Sequence, residues 1–542
     1  MPLAPLILKY KTKENHYLYD AATGRIIRVD PIVYEIIDDF AVLTDQELLC
    51  VHRDLGEENV LDGLKEIEKL RESGYLRPHR PMELSPVEYV RFDGTVREIG
   101  EFWQNTATLL ILGITERCNL QCEYCCYSGH FTGQRTHSSK SMSLATAEKA
   151  ILHYLEHEQA ADGNCPITFY GGEALLESHV LKECVSIAER RALELEKTVR
   201  FAITTNGTLL DDEITDYLVE HDFLVLVSLD GPKAMHDRYR VFRDGSGSFD
   251  RVAENLRRFA IRHPGYSRRG LNMTLAPPFD LDATSRLLEE FLPDYPATKA
   301  NLVSTGVEGR IVDGTECPTR YGCYSKTSCN KGCSKESFRN FSDRDHDQVY
   351  CLWQAFVKSM AEVGTVETAK RLPLATLLFE GIIGFYHRRN VTDSPPDWSI
   401  YVPCIPGFTR RFCDVDGNYR ICERVDNSET YRLGNVWDGL DVGKLKRTME
   451  LRRHFGDCGN CPSLKICDIC YARISETDAP HLGYDPWFDK QCLQIRKRSV
   501  EMLRYYTEIM ESNPDAFDRP NHGRDSSYKE VLFCGPIDRS SP

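Results

Sequence analysis

The sequence predicts an α/β fold in which a partial (β/α)6 barrel follows a small α+β unit and precedes a cysteine-dense unit. Strand and helix patterns alternate between residues 105 and 305, a hairpin and helix patterns occupy residues 1–95, and the 21 cysteines of the chain fall largely into groups. Because repeated strand–helix units give parallel strands joined by right-handed crossovers, an open or partial barrel is the expected product.

The N-terminal unit, residues 1–95, is predicted from a hairpin and two helices. Tyr17–Tyr19 and Arg25–Val29 flank a glycine-containing turn, as expected for paired strands. Helix patterns follow around Pro31–Phe40 and Glu58–Ser73.

The barrel, residues 105–305, is predicted from buried-strand patterns that alternate with amphipathic-helix patterns. The strand patterns are Leu109–Thr115, Ile167–Tyr170, Val199–Thr205, Phe223–Leu229, Leu271–Leu275 and Ala300–Val303. The helix patterns are Leu144–Gln159, Val180–Glu196, Asp211–Glu220, Phe249–Arg262 and Ala283–Leu292. Active residues in such sheets lie just beyond the C-terminal ends of the strands, so a site is expected in the loops that follow them.

Three further segments complete the predicted organisation. Residues 306–400 hold a cysteine-containing loop and two bridging helices, Val349–Glu362 and Thr368–Tyr386. Residues 401–500 are cysteine-dense with little periodicity, which is typical of a fold that depends on metal. Residues 501–542 are expected to form a C-terminal helix and a polar tail.

Composition and charge exclude several classes of protein. The 542 residues are 41% hydrophobic and 27% charged, which is typical of a globular chain. Since no apolar run is long enough to cross a bilayer and no signal-peptide pattern is present, we expect a cytoplasmic protein without a membrane partner. The formal net charge of −15 argues against a nucleic-acid partner, because such partners need a basic surface.

Three cysteines stand directly after the first barrel strand. Cys118, Cys122 and Cys125 have C-x3-C-x2-C spacing. Three thiolates in one loop can bind three irons of a cubane cluster and leave the fourth iron open to a chelating substrate. A zinc site would more often pair C-x2-C elements to supply four ligands. The loop therefore predicts an iron–sulfur cluster.

A second group of cysteines lies in the C-terminal third of the chain: Cys404, Cys422, Cys458, Cys461, Cys467, Cys470 and Cys492. The four central cysteines are spaced C-x2-C-x5-C-x2-C, and a zinc ribbon built on them is one interpretation. Zinc alone does not account for Cys404, Cys422 and Cys492, which favours further clusters. No ligand role is assigned to a third group, whose spacing suits no common zinc module: Cys317, Cys323, Cys329, Cys333 and Cys351.

The cysteine loop and the turns after the next strands resemble the radical S-adenosylmethionine (SAM) superfamily. Its motifs follow in order as Gly171-Gly172-Glu173, Thr204-Thr205-Asn206-Gly207 and Ser228-Leu229-Asp230-Gly231. Alone, each is an ordinary turn; together, behind the cysteine loop and at successive strand ends, they form a specific pattern.

This resemblance implies a role for each of several residues. Gly171, Gly172 and Glu173 would receive the methionine amino group of SAM, and Asn206 and Ser228 would face its ribose and carboxylate. Arg240 would pair with that carboxylate, although Arg243 is an alternative, and Tyr124 would pack near the adenine. The reduced cluster would then cleave SAM to methionine and a 5′-deoxyadenosyl radical, which abstracts an unactivated hydrogen.

The C-terminal cysteines resemble the SPASM extension of that superfamily, which carries two auxiliary [4Fe–4S] clusters. The resemblance assigns an outer cluster to Cys458, Cys461, Cys467 and Cys492, and an inner one to Cys404, Cys422 and Cys470. The final C-x2-C departs from the usual C-x3-C and puts the role of Cys470 in doubt. The inner cluster is one ligand short, so either a further cysteine such as Cys413 completes it or its open iron binds a substrate thiolate.

Glu423 directly follows Cys422. By resemblance to sulfatase maturases it would accept a proton as the substrate radical is oxidised. The alternative is a solvated carboxylate beside Arg424.

The N-terminal unit resembles the winged-helix-like recognition element of enzymes that modify ribosomally made peptides (RiPPs). It would capture a leader peptide by adding a strand to a sheet edge, or serve only as a structural unit. The leading hypothesis is therefore a radical SAM oxidoreductase with three [4Fe–4S] clusters and SAM that forms thioether or C–C cross-links in a precursor peptide. A flavodoxin or ferredoxin would donate electrons. The alternatives are a formylglycine-forming sulfatase maturase and a non-catalytic, zinc-scaffolded binding protein.

Overall fold

The computed structural model describes residues 4–40, 42–80, 88–90, 96–98, 108–125, 127–128, 131–132, 135–156, 164–302, 310–311, 342–389, 391, 406–408, 410–425, 427–450, 457–468, 470–471 and 486–518. Within these ranges no helix has the length and apolar character needed to cross a membrane.

The strands are β1 Ile7–Lys11, β2 His16–Asp20, β3 Arg25–Val29, β4 Glu88–Val90, β5 Val96–Glu98, β6 Leu110–Thr115, β7 Phe131–Thr132, β8 Asn164–Gly171, β9 Thr198–Thr205, β10 Leu224–Ser228, β11 Arg269–Leu275, β12 Lys299–Leu302, β13 Arg310–Ile311, β14 Arg411–Cys413, β15 Asn418–Arg420, β16 Arg432–Asn435 and β17 Gly439–Leu440. The α-helices are α1 Pro31–Phe40, α2 Asp45–Val51, α3 Glu57–Glu72, α4 Leu144–Glu156, α5 Ser178–Glu194, α6 Asp212–Glu220, α7 Lys233–Tyr239, α8 Phe249–Arg262, α9 Leu281–Phe291, α10 Asp343–Arg371, α11 Pro373–His387, α12 Val442–Glu450 and α13 Pro486–Ser512.

One large sheet organises the centre of the molecule, in the order β12-β11-β10-β9-β8-β6-β14-β15-β16-β17. The six predicted barrel strands are all present and pair in parallel. The sequence did not predict that β14, from the cysteine-dense unit, also pairs in parallel with β6. The barrel and part of the cysteine-dense unit therefore share one hydrogen-bonded sheet.

The two faces of the parallel sheet differ in what they contact. Alternate residues such as Ile167, Ile203 and Leu271 are buried in one core with helices α4 to α6 and α8 to α11. The residues between them, such as Thr168, Thr204 and Asn272, are only partly buried and face the opposite side, the lumen of the partial barrel. Several lumen-facing positions thus carry small polar side chains, whereas the helix-facing side is apolar.

The N-terminal unit contains the predicted hairpin, with an additional strand and helix. Strand β1 pairs with β2, and α2 follows a capping box formed by Thr44 and Glu47. Both faces of the small sheet are buried: Leu18 and Ile27 pack on α1 and α3, whereas Tyr17 and Tyr19 belong to the core shared with the C-terminal elements. Strand β1 was not predicted because its apolar residues are interrupted by lysines that pair with α1.

The bridging helices begin and end at other residues than predicted. Helix α10 starts at Asp343 because Ser342 caps it, and it is broken by Gly364 with φ 73°, in the gap between the two predicted helices. Helix α11 starts later than predicted, at Pro373, a residue favoured in the first helical turn. The predicted tail, from residue 519 onward, lies outside the described residues.

Candidate active site

The loop that carries Cys118, Cys122 and Cys125 is anchored by the segment after α7. Leu120 bridges Phe242, and the Gln121 and Glu123 amides donate to the Val241 and Tyr239 carbonyls at 2.8 and 3.2 Å. The loop is thereby held over the C-terminal ends of β6 and β10. This is the position that the sequence predicts for a functional loop.

The Gly171-Gly172-Glu173 turn lies directly against the start of that loop. The Gly172 and Glu173 amides donate to the Thr115 and Arg117 carbonyls, both at 2.8 Å. A Cβ at either glycine would lie 2.1 Å from one of these carbonyl oxygens. Only glycine allows this approach, so the turn fixes the strand end against the cysteine loop.

Glu173 is buried, and its carboxylate faces the end of β9. Its two oxygens accept from the Asn206 amide at 2.6 Å, from the Thr205 hydroxyl at 2.8 Å and from the Leu175 amide at 3.0 Å. Burial raises the pKa of Glu173, and these hydrogen bonds oppose that rise. The carboxylate thus joins the ends of β8 and β9, and its contact with the methionine amino group of SAM stays a prediction.

Asn206 connects the β9 turn to the cysteine loop. Its Nδ2 donates to Asn119 Oδ1 at 2.8 Å, and its Oδ1 accepts from the Thr208 amide and hydroxyl. Asn119 Nδ2 donates to the Thr208 hydroxyl in turn. Asn119 stands next to a predicted iron ligand, Cys118, but received no predicted role of its own.

Asp230 is the principal site residue that sequence reasoning missed. Its side chain is buried, with 3% of its surface exposed. The carboxylate accepts one hydrogen bond from the Tyr124 hydroxyl and another from the Thr274 amide at 2.9 Å. The same carboxylate pairs with Arg240 Nε at 2.7 Å. Its place two residues after Ser228, in a turn at a strand end, was the available signal.

Arg240 is held between Asp230 and the cysteine loop. Its Nη1 lies 3.9 Å from Cys122 Sγ, and its guanidinium stands 5.6 Å from the Tyr124 ring centre. Arg243, the predicted alternative, is exposed. Of the two arginines, the geometry brings Arg240 to the site.

His236 links the Asp230 backbone to Ser248, next to this arrangement. Its Nδ1 accepts from the Asp230 amide at 3.2 Å, so its Nε2 carries the proton shared with Ser248 Oγ at 2.9 Å. Ser248 Oγ donates to the Arg240 carbonyl at 2.8 Å. Burial lowers the pKa of His236 to about 4, so the imidazole is neutral near pH 7.

The cysteines of the loop have the chemistry expected of metal ligands. Burial raises the pKa of both Cys118 and Cys122 to about 12, so a metal would be needed to hold them as thiolates near pH 7. The Tyr127 amide points at Cys125 Sγ at 3.4 Å, and Arg240 points at Cys122. These positive N–H groups suit sulfur ligands of an iron–sulfur cluster. Within the described ranges, no three His, Cys, Asp or Glu side chains converge on a single-ion site.

In the cysteine-dense unit, Cys422 and Glu423 follow β15, close to the barrel. The Arg424 amide points at Cys422 Sγ at 3.4 Å. Glu423 is 8% exposed; its Oε1 pairs with Arg410 Nη1 at 2.6 Å, and its carbonyl accepts from Arg135. Glu423 is therefore a buried, paired carboxylate, in contrast to the solvated alternative.

Several contacts show which parts of the fold lie near the other cysteines of this unit. Arg496 on α13 lies near both Cys461 and Cys492, which brings this part of α13 to the Cys458–Cys461 turn. The Tyr431 carbonyl accepts from the Ile421 amide, and the Tyr431 hydroxyl donates to the Tyr471 carbonyl. Because Ile421 precedes Cys422 and Tyr471 follows Cys470, these two bonds link the two cysteine segments. Cys467 lies near Tyr386.

The cysteines considered for the missing ligand differ in placement. Cys413 is fully buried in the helix-facing core on β14, on the side of the strand opposite the lumen. Burial raises its pKa far above the ordinary thiol value. Cys351 is exposed on α10. Outside the described residues lie Cys404, Cys317, Cys323, Cys329 and Cys333.

Comparisons with known proteins agree with this geometry. Residues 112–283 match the family model described as the Radical SAM superfamily. A cysteine-type anaerobic sulfatase-maturating enzyme of Clostridium novyi (strain NT) is 30% identical over 151 residues, 28% of this chain and 39% of that protein. A serine-type anaerobic sulfatase-maturating enzyme of Bacteroides thetaiotaomicron is 34% identical over 145 residues, 26% and 33% of the two chains. The matched regions thus span less than half the length of these relatives.

The solved structure described as native anSMEcpe with bound AdoMet and Cp18Cys peptide has a TM-score of 0.50 and 17% identity. The alignment covers 75% of this chain and 99% of that one. At this identity the match shows a common fold alone. Together with the family match and the ordered motifs, it identifies residues 112–283 of this chain as a domain of the Radical SAM superfamily.

Proposed function

We propose that this protein is a radical SAM oxidoreductase that modifies a ribosomally made precursor peptide, forming thioether or C–C cross-links. The observation that carries the proposal is the continuous sheet in which β14 pairs with β6. Through β14 and β15 it ties the Cys422–Glu423 segment to the edge of the barrel, whose lumen is lined in part by polar side chains. A peptide carbon radical formed in that lumen would lie beside a group able to bind a thiolate and a carboxylate able to take a proton.

The site residues divide into three tasks under this proposal. Cys118, Cys122 and Cys125 hold the SAM-binding [4Fe–4S] cluster, which together with SAM supplies a 5′-deoxyadenosyl radical. The Gly171-Gly172-Glu173 turn, Asn206, Ser228 and Tyr124 form the cradle for SAM. Arg240 and Asp230 fix the position of the cradle relative to the cysteine loop, and their buried hydrogen bonds help to exclude water from the loop.

The auxiliary ligands are proposed as the resemblance to the SPASM extension assigns them. Cys458, Cys461, Cys467 and Cys492 hold an outer cluster, and Cys404, Cys422 and Cys470 hold an inner one. The burial of Cys413 in the helix-facing core supports an inner iron that is open to a substrate thiolate. The inner cluster would take the electron when the substrate radical is oxidised, and Glu423 would accept the proton released in that step.

The N-terminal unit supports a peptide as the target. Strands β1 and β3 each pair with β2 on one side, and among the described residues neither has a second strand partner. A leader peptide can add to such an edge through main-chain hydrogen bonds. The sheet also packs on α13, where Tyr10 bonds to Thr507 at 2.9 Å. A bound leader would thus be fixed relative to the catalytic domain.

A second candidate is formylglycine formation on a sulfatase, which the relatives named as sulfatase-maturating enzymes favour. Mass spectrometry of a co-expressed peptide encoded beside this gene distinguishes the two. Cross-linking removes two hydrogen atoms per bond and, for a thioether, protects the cysteine from alkylation. Full alkylation after turnover contradicts thioether formation, and conversion of a sulfatase cysteine or serine to an aldehyde supports the second candidate.

A further inference from the structure

Arg240 is held in one position by buried partners. Its Nε donates to Asp230 Oδ2 at 2.7 Å, and its guanidinium lies 5.6 Å from the Tyr124 ring centre. The Tyr124 hydroxyl donates to the same carboxylate, which also accepts from the Thr274 amide on β11 at 2.9 Å. The Arg240 side chain is only 10% exposed. Its orientation is therefore set by the protein.

The guanidinium is directed at a sulfur atom of the cysteine loop. Arg240 Nη1 lies 3.9 Å from Cys122 Sγ, which is a long N–H···S contact. Burial raises the pKa of the Cys122 thiol, Arg240 lowers it and Asp230 raises it, so the two charges act on this sulfur in opposite directions. Arg240 is also close enough to the Glu173 carboxylate for their charges to interact. Because these groups are buried, water screens their charges less than at the surface.

We propose that Arg240, a positioning residue that acts through Cys122, raises the reduction potential of the proposed SAM-binding cluster, and that Asp230 limits this effect. This inference rests on the proposed function, which assigns Cys118, Cys122 and Cys125 to that cluster. The potential of an iron–sulfur cluster depends on the surrounding charge and on hydrogen bonds to its sulfurs. Reduction adds one electron from the reductant, and a cation beside a ligand sulfur stabilises the added negative charge.

The resemblance to the radical SAM superfamily gives Arg240 a different role, pairing with the carboxylate of SAM. Asp230 and Cys122 supply protein partners for two of its nitrogen atoms, so its position does not require SAM. The two roles are separable because the potential of a cluster is measurable in protein without SAM.

The experiment is a redox titration of the iron-loaded protein with dithionite, without SAM, followed by electron paramagnetic resonance. The signal that is lost in Cys122→Ala identifies the cluster of this loop, and signals that persist serve as an internal reference. By Coulomb's law, a unit charge within about 10 Å at an effective dielectric of about 20 changes an equilibrium tenfold or more. Arg240→Gln should therefore lower the ratio of reduced to oxidised cluster about tenfold at a given potential, which is a midpoint about 59 mV lower.

Three further variants separate charge from loosening of the loop. Asp230→Asn should shift the midpoint upward, opposite to Arg240→Gln, because it removes a negative charge from the same pair. Arg240→Lys keeps the positive charge and should stay closer to the native midpoint than Arg240→Gln. The matched control is Arg243→Gln, which removes an exposed charge from the same segment and should leave the midpoint unchanged, because solvent and salt screen such a charge.

A native midpoint in Arg240→Gln contradicts the proposal, and weaker SAM binding by that variant at a native midpoint assigns the arginine to SAM alone. Shifts of Arg240→Gln and Asp230→Asn in the same direction also contradict it, since altered loop structure would then explain both. If Arg240→Gln does not retain iron, Asp230→Asn decides, and a midpoint no higher than the native one contradicts the proposal. Native protein without a signal that depends on Cys122 refutes the cysteine assignment and this inference with it, which a shifted or unshifted midpoint does not.

Discussion

The substitution Asp230→Asn tests whether the cysteine loop depends on a buried charge. It keeps the size of the side chain and a carbonyl oxygen that can still accept from the Thr274 amide. It removes the negative charge that pairs with Arg240, and the two side chains are only 3% and 10% exposed. The variant would leave a buried guanidinium without its counter-ion, 3.9 Å from Cys122 Sγ.

The magnitude follows from the geometry of the pair. The Asp230 Oδ2 and Arg240 Nε atoms are 2.7 Å apart. For charge centres about 4 Å apart in an effective dielectric of about 20, the attraction is about 4 kcal/mol. Removing one partner of a buried pair costs about 3–5 kcal/mol, which agrees. At about 1.4 kcal/mol per factor of ten, this cost should make local opening roughly a hundred to several thousand times more frequent.

Hydrogen–deuterium exchange with mass spectrometry measures this opening in the segments that contain Cys122 and Thr274. A local measurement is preferable because a large protein with bound clusters does not unfold in two states. The matched control is Asp216→Asn, whose partner Arg262 approaches both carboxylate oxygens to 2.6 Å but is 42% exposed. Exposed pairs contribute at most about 1 kcal/mol. Equal exchange in the two variants would refute the role of the buried charge.

Three further outcomes are expected. Gly172→Ala should abolish deoxyadenosine formation and lower iron content, because the added Cβ would lie 2.1 Å from a carbonyl oxygen. The control is Gly381→Ala on α11, where an added Cβ would have no atom within 4 Å, and this change should raise the free energy of unfolding by about 0.5–1 kcal/mol. Loss of activity in both variants would contradict this prediction. His236 should contribute stability that is complete above its unfolded pKa of about 6.5 and falls as pH drops toward its folded pKa of about 4, about 2 kcal/mol by pH 5. Hydrogen exchange of the α7 segment at pH 7 and 5, corrected for the intrinsic exchange rates, should therefore show a smaller pH effect in His236→Gln, and an unchanged effect would exclude this histidine as its source. Glu511→Ala should speed hydrogen exchange in β1 and β2, because Glu511 accepts hydrogen bonds from Thr12, Asn15 and Tyr17 at 2.7 to 3.1 Å. Exchange as slow as in the native protein would mean that other contacts hold the sheet.

The barrel was predictable because most of its strands contain a short apolar run, and a loop or turn motif follows β6, β8, β9 and β10. The motif residues Gly172 and Glu173 were recognisable because their turn, behind the cysteine loop, resembles that of the radical SAM superfamily. The pairing of β14 with β6 could not be predicted from the sequence. Strand β14 has three residues, too few to show a periodic pattern, and it lies far from β6 along the chain. Their pairing depends on the tertiary structure.

The roles of individual polar residues were harder to anticipate than their presence. Arg240 was expected to meet a ligand carboxylate, and the structure also gives it a protein carboxylate, Asp230. Glu173 was expected to face an ammonium group and also joins two strand ends. Such partners come from different loops, so spacing along one loop does not reveal them.

Deoxyadenosine formation from SAM, under anaerobic reduction with dithionite, tests the central claim most directly. The native protein should form it, Cys122→Ala should form none, and Cys184→Ala, which alters a cysteine buried in helix α5 outside the site, should behave as the native protein does. Absence of deoxyadenosine from iron-loaded native protein, or equal formation by Cys122→Ala, would contradict the assignment of this loop to radical chemistry.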